Sequence, residues 1–200
     1  MVTSLSDLDL SKSYTYADYL TWQFDEMVEV IKGKVFKMSP APLPSHQVVA
    51  GNLYLKMRLF FENDTCQLFF APFDVRIPTK SSKDEDIVTV FQPDLCVICD
   101  ISKIDRRGCL GAPDLVVEIL SKSTAEKDLK IKYNLYEEAG VKEYWIIEPE
   151  YRKIDQYSLE NRVYSLRKIY TQSDTMSSIL FPELKIAVVD VFKNADLLDR

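Results

Sequence analysis

The six residues Leu115 to Leu120 (LVVEIL) are apolar except for Glu118. An unbroken apolar run of this length, without alternation, reads as a central strand covered on both faces. Such a strand needs a layer of structure on each side of its sheet, which confines the chain to α/β architectures. Glu118 is the one charge in the run. Burying a carboxylate costs several kcal/mol unless it meets a cation or hydrogen-bond donors. A metal ion is a ready explanation.

The remaining pattern agrees with a mixed sheet. Thr15 predicts a cap for a short helix reaching about Trp22, with Tyr16, Tyr19 and Leu20 at helical spacing. Val28, Val30, Val35 and Phe36 flank Lys32-Gly33, a hairpin signature. After a Pro-rich loop, Ser45 is expected to cap a helix over 46–61, with Val49, Leu53, Met57 and Phe60 on one face. Strands are expected over 66–78 and 87–99, the second with Pro93 at a bend or edge. Residues 100–111 read as a polar connection. A helix is expected over 124–139, capped by Ser123 or Thr124 and ended by Gly140. Glu143 to Ile147 is a further strand, and 154–192 adds more, interrupted at Pro182. The predicted fold is thus a central mixed β-sheet flanked by helices, with an N-terminal hairpin and extra C-terminal strands. Residues 1–14 are expected to be a flexible leader and 15–200 a single domain, the size usual for one α/β unit.

Function classes narrow in the same way. No apolar run approaches the ~20 residues that span a bilayer, so no membrane association is expected. MVTSLSDLDL lacks a basic segment followed by a hydrophobic block, and a cytoplasmic protein is expected. Cys96 and Cys99 form a CxxC inside LCVIC. On a strand, residues three apart point to opposite faces, so a shared metal is not expected. The thiols are expected to be reduced. With 25 basic and 31 acidic residues the net charge is −6, which weakens a reading as a general nucleic-acid coat. A nuclease needs only local positive charge, and Arg106, Arg107, Lys122 and Lys127 are candidates for a phosphate-contacting rim.

Two Pro-Asp-Leu segments offer partners for Glu118. Asp114 shares its strand face, but four residues at about 3.3 Å each separate the Cα atoms by roughly 13 Å. Asp94, on the preceding strand, lies about 5 Å away if the two strands are neighbours. Asp94 with Glu118 is the better pair, and Asp114 is left as an outer contributor or a strand-entry residue. Helical spacing puts Ala125, Leu129, Tyr133, Tyr136 and Ala139 on an apolar face, with Lys132 in its middle. An inward lysine is as unusual as an acid in a core strand. Both are explained if the ammonium reaches the carboxylates. Two other readings stay open, a stem lying on apolar surface and an i,i+4 pair with Asp128. Two carboxylates suit Mg²⁺, with Mn²⁺ as a substitute, and a lysine beside them suits phosphodiester hydrolysis. Glu29 is a further candidate ligand or a solvated hairpin residue. His46, the only histidine, is placed at a helix start.

The segments EVIKGKVFKMSPAPLPSHQ, QPDLCVI, GAPDLVVEILSKST and DLKIKYNLYEEAGVKEYWIIEP, in that order, resemble the Uma family of the PD-(D/E)XK nuclease superfamily. The resemblance runs from about Tyr16 to Tyr170. It implies a restriction-endonuclease-like fold, Mg²⁺, and a homodimer. By position it implies catalytic roles for Asp94, Glu118 and Lys132, with the metal on Asp94 and Glu118 and the early acid at Glu29. The superfamily's usual lysine, two residues after the acid, falls on Leu120; in this branch it is expected on the helix, at Lys132. A Mg²⁺-dependent endonuclease acting on DNA is the first expectation. A catalytically inactive binding or assembly module is the alternative.

Overall fold

A computed structural model describes residues 2–38, 43–121 and 125–195, without the side chains of 125–128. In chain order the elements are α1 (Tyr16–Tyr19), β1 (Val28–Ile31), β2 (Lys34–Lys37), α2 (Pro44–Phe60), β3 (Gln67–Phe70), β4 (Val75–Arg76), β5 (Val90–Phe91), β6 (Leu95–Ile98), β7 (Ile104–Asp105), β8 (Gly108–Leu110), β9 (Leu115–Ile119), α3 (Ala125–Ala139), β10 (Glu143–Glu148), β11 (Lys153–Glu160), β12 (Val163–Tyr170), β13 (Thr175–Ser177), β14 (Lys185–Ala187) and α4 (Val188–Val191). They fall into two compact units, each with its own six-stranded sheet.

The first unit takes the chain up to residue 38 with Phe73–Gln92 and Ser102–Ala112, and its strand order is β2-β1-β5-β4-β8-β7. Thr15 caps α1 in a reciprocal box with Asp18. The hairpin turns through Lys32 and Gly33, both at positive φ (51° and 78°). That is the twist a two-residue hairpin loop requires. A Cβ on Gly33 would also sit 2.0 Å from Ser13 Oγ, so this position excludes a side chain. The small core gathers Tyr16, Val30, Ile87 and Val90.

The second unit carries the longer sheet, β12-β11-β10-β9-β6-β3. Only β9 and β10 pair in parallel; their neighbours are antiparallel, so the sheet is mixed. A parallel pair needs a crossover, and α3 supplies it. All five residues of β9 are buried. Leu115, Val117 and Ile119 face one core, into which α2 sends Val49, Leu53 and Met57 at i, i+4 and i+8. The even-numbered side chains of β9, Glu118 among them, face the opposite side.

Several sequence expectations need correction. The single strand expected over 66–78 is two, β3 and β4, belonging to different sheets. The strand over 87–99 likewise divides into β5 and β6. The breaks fall at Pro72 and Pro93, which have no N–H to give a ladder. Residues 100–111 are not a plain connection but carry the β7–β8 hairpin. Ser45 does not cap α2: Leu43 is the N-cap without a side-chain bond, and Pro44 opens the helix, where its missing N–H is harmless. The caps expected at Ser123 or Thr124 lie outside the described residues. Gly140 ends α3 at φ 87°, with its N–H on the Tyr136 and Glu137 carbonyls. No helix among the described residues is long and apolar enough to cross a membrane.

The cysteines also differ from expectation. Cys66 and Cys99 form a disulfide, while Cys96 and Cys109 are buried thiols outside it. The CxxC pattern did not reveal this, because the pairing depends on the β3–β6 register. Gln67 lies opposite Ile98, so the next positions outward are Cys66 and Cys99. Their sequence separation is 33. Closing a loop of that length stabilises a fold by about 3–4 kcal/mol in the chain-entropy model. Chemical denaturation with and without dithiothreitol is expected to show a loss of that order on reduction. Identical curves for oxidised protein and a Cys66→Ala/Cys99→Ala variant would remove the bond from the fold's energetics.

Candidate active site

β6 and β9 run antiparallel with Leu95 opposite Val117. Continuing that register by one residue places Asp94 across from Glu118, at the edge of the second sheet's core. Asp94 Oδ2 accepts the Ile119 backbone N–H at 2.7 Å, which stitches the β6 entrance to the end of β9. The same oxygen lies 3.3 Å from His46 Nε2. His46 stands in the first turn of α2, two residues after Pro44. An ionised carboxylate only accepts, so Nε2 is the protonated nitrogen in this contact. Burial alone would lower the His46 pKa. The hydrogen bond and charge of Asp94, the charge of Glu118 and the Ile119 carbonyl outweigh it, and the net direction is upward.

α3 approaches the same strand end from the other face. Lys132 Nζ donates to Glu118 Oε1 at 2.9 Å, and Tyr136 hydroxyl donates to that oxygen as well. Lys132 and Tyr136 are one helical turn apart, so one face of α3 delivers both. The pair is largely shielded: the side chains of Lys132 and Glu118 are 17% and 8% exposed. In such surroundings a charge pair interacts more strongly than in water, and each partner depends on the other to remain buried. Tyr144 on β10, in register with Val116 on β9, stacks edge-on to Tyr136 at 5.1 Å between ring centres. Its buried hydroxyl has no hydrogen-bond partner among the described residues. Burial first, then the Glu118 charge, push its pKa well above the ordinary tyrosine value.

Asp114 sits at the other end of β9. Its Oδ2 accepts Cys99 N–H at 2.8 Å and its Oδ1 accepts Lys142 Nζ at 2.7 Å. Its backbone carbonyl takes the amides of Lys142 and Glu143. These contacts tie β9 to β6 and β10 at the strand entry. Glu29 is buried on β1, in the first unit, where Oε1 accepts Gln92 N–H at 3.0 Å.

Residues 16–189 match the family described as Uma2, "Putative restriction endonuclease". The chain belongs to the Uma2 family. A crystal structure of "a putative nuclease belonging to DUF820" from Anabaena variabilis shares its fold, with a TM-score of 0.69 and 19% sequence identity over 90% of this chain and 97% of that one. No curated protein matches the chain. The fold is restriction-endonuclease-like, in agreement with the mixed sheet and flanking helices expected from sequence.

In this Uma2 chain Leu120, two residues after Glu118, brings no charge to it, and its N–H bonds the Ile147 carbonyl. The ammonium beside Glu118 comes from α3 instead. Two members of the cluster escaped the sequence reading. Tyr136 looked like an ordinary core aromatic, although its i+4 spacing from Lys132 was a usable signal. His46 offered none, because its partner is 48 residues away. Of the expected basic rim, Arg107 is held by Asp84 at 2.5 Å in the first unit, and the side chains of Lys122 and Lys127 lie outside the described residues.

Among the described residues no group of three or more His, Cys, Asp and Glu side chains is arranged to hold a metal ion. A site built on two carboxylates remains chemically suited to Mg²⁺, which takes oxygen ligands from one or two carboxylates and fills its octahedron with water and phosphate. Asp94 fits this role: Oδ2 is engaged, while Oδ1 has no hydrogen-bond partner among the described residues.

Proposed function

We propose that this protein is a Mg²⁺-dependent endonuclease that hydrolyses phosphodiester bonds in DNA. The observation that carries this reading is the ammonium of Lys132 bonded to the nearly buried carboxylate of Glu118, with Asp94 at the entrance of the adjoining strand β6. Membership of a family described as "Putative restriction endonuclease" supports the same chemistry. Asp94 and Glu118 would hold Mg²⁺, or Mn²⁺ in its place. When bound, such an ion supplies a water of lowered pKa and offsets charge on the phosphodiester.

The chain's own residues have separate tasks. Lys132 holds Glu118 in place and presents positive charge where negative charge develops on the phosphoryl oxygens. Tyr136 fixes the other approach to Glu118 Oε1, so the carboxylate does not have to reorganise when substrate arrives. The Ile119 amide keeps Asp94 aligned with the strand end. A homodimer belongs to this reading, since two such sites would cut both strands of a duplex in one encounter.

Nicking of supercoiled plasmid is the direct test. Wild type is expected to nick with Mg²⁺ and not with EDTA, and Glu118→Ala is expected to be inactive under both conditions. Nicking that persists undiminished in Glu118→Ala would place the activity elsewhere. The acidic balance of the chain, net −6, favours a second reading, an inactive module of the same fold. That reading expects DNA or protein binding with no Mg²⁺-dependent turnover in wild type.

A further inference from the structure

We infer that His46 is a positioning residue for Asp94, fixing which of its carboxylate oxygens meets a divalent cation. The inference rests on the metal-site reading above and deepens it. Three observations carry it. First, Asp94 Oδ2 receives two N–H donors, from Ile119 at 2.7 Å and from His46 Nε2 at 3.3 Å. An oxygen so engaged has its lone pairs directed at the protein. Second, Oδ1 has no partner among the described residues and is the oxygen available for ligation. Third, His46 itself is poorly placed as a ligand. Its Nε2 faces Asp94, and its Nδ1 is buried without a hydrogen-bond partner among the described residues.

The arrangement has a clear physical purpose. A carboxylate at the entrance of a strand can rotate about its terminal bond. A ligating carboxylate that rotates loses affinity, because the ion then has to order it on binding. The Ile119 amide comes from the sheet and His46 from the first turn of α2, so Oδ2 is held from two elements of the second unit. Hydrogen bonds that orient a ligating carboxylate in this way typically contribute a factor of about 10–100 in metal affinity. The side chain of His46 is 14% exposed and that of Asp94 21%, so the contact is shielded enough to persist and open enough for an ion to reach the carboxylate.

Titration with Mn²⁺, read by electron paramagnetic resonance of the free ion, tests this without relying on DNA cleavage. His46→Leu keeps apolar volume and removes the donor; it is expected to weaken Mn²⁺ binding about 10- to 100-fold. His46→Gln places an amide N–H near the Nε2 position and is expected to bind close to wild type. His46→Ala serves if the leucine variant does not fold, and thermal melts accompany every variant. The role is overturned if His46→Leu binds Mn²⁺ as wild type does while Asp94→Ala does not. Equal weakening in the leucine and glutamine variants also overturns it, because packing rather than the donor is then responsible. If Asp94→Ala itself binds normally, the metal-site reading falls together with it.

Discussion

Glu143→Ala is expected to lower the unfolding free energy by about 3–5 kcal/mol, the range seen when a buried, fully hydrogen-bonded charged group loses its counterpart. Glu143 opens β10 and is completely buried. Its Oε1 accepts from Trp145 Nε1, Gln156 Nε2 and the Ile179 amide; its Oε2 accepts from Ser178 Oγ and from the Ile179 and Leu180 amides. Those donors come from β10, from β11 and from the segment after β13. One carboxylate thus ties the middle of the sheet to the loop that precedes β14. Truncation orphans all five donors at once in a region that water does not reach. In a chain of this length the loss corresponds to a drop in Tm of roughly 10 °C, measurable by differential scanning calorimetry. Glu143→Gln refines the test. It keeps the shape but puts an NH₂ group against donors, so it too is expected to be destabilised. A glutamine variant that melts with wild type would mean that these contacts hold nothing together.

Lys132→Met is expected to reduce Mg²⁺-dependent plasmid nicking by about 10²–10³, the loss typical when one charge-stabilising donor is removed from a reacting centre. Methionine keeps most of the apolar stem and deletes the ammonium. It therefore separates electrostatics from packing, which Lys132→Ala does not. The 2.9 Å contact with Glu118 Oε1 leaves little room for water between them. Arginine is not expected to restore activity, since a planar guanidinium is bulkier and spreads its charge over a fork. A methionine variant that nicks at the wild-type rate would show that residue 132 contributes only its stem, and the proposed chemistry would lose its cation. Melting curves run alongside decide whether any loss comes from unfolding.

The parts of the fold that local pattern specifies are those where one segment's periodicity is enough. The apolar run at β9, the helical stripe of α3 ended by Gly140 and the Lys32-Gly33 turn of the first hairpin are of this kind. The strands expected over 66–78 and 87–99 went astray for the opposite reason. Each is rich in apolar residues from end to end, broken only by a few polar ones such as Asp74 and Asp94, yet each serves two sheets. Hydrophobicity reports that a residue is buried, not which core buries it. The prolines at 72 and 93 marked where the ladders stop, but not that the chain changes sheet there.

The same distinction separates the members of the candidate site. Asp94, Glu118 and Lys132 were legible because each is a charge, or a charge-bearing partner, where the surrounding pattern calls for burial, and burial of charge demands an explanation. The sequence by itself therefore determined an α/β layered fold, the strand that carries Glu118 and the helix that carries Lys132. Only the tertiary structure decided that His46 meets Asp94, that Tyr136 meets Glu118, that Asp114 secures the strand entry with Lys142, and that Cys66 pairs with Cys99. A local pattern encodes how much of a side chain is hidden, through periods of two or of 3.6 residues. Which distant group lies opposite is set by register and by the packing of whole elements, and those depend on the free energy of the entire chain.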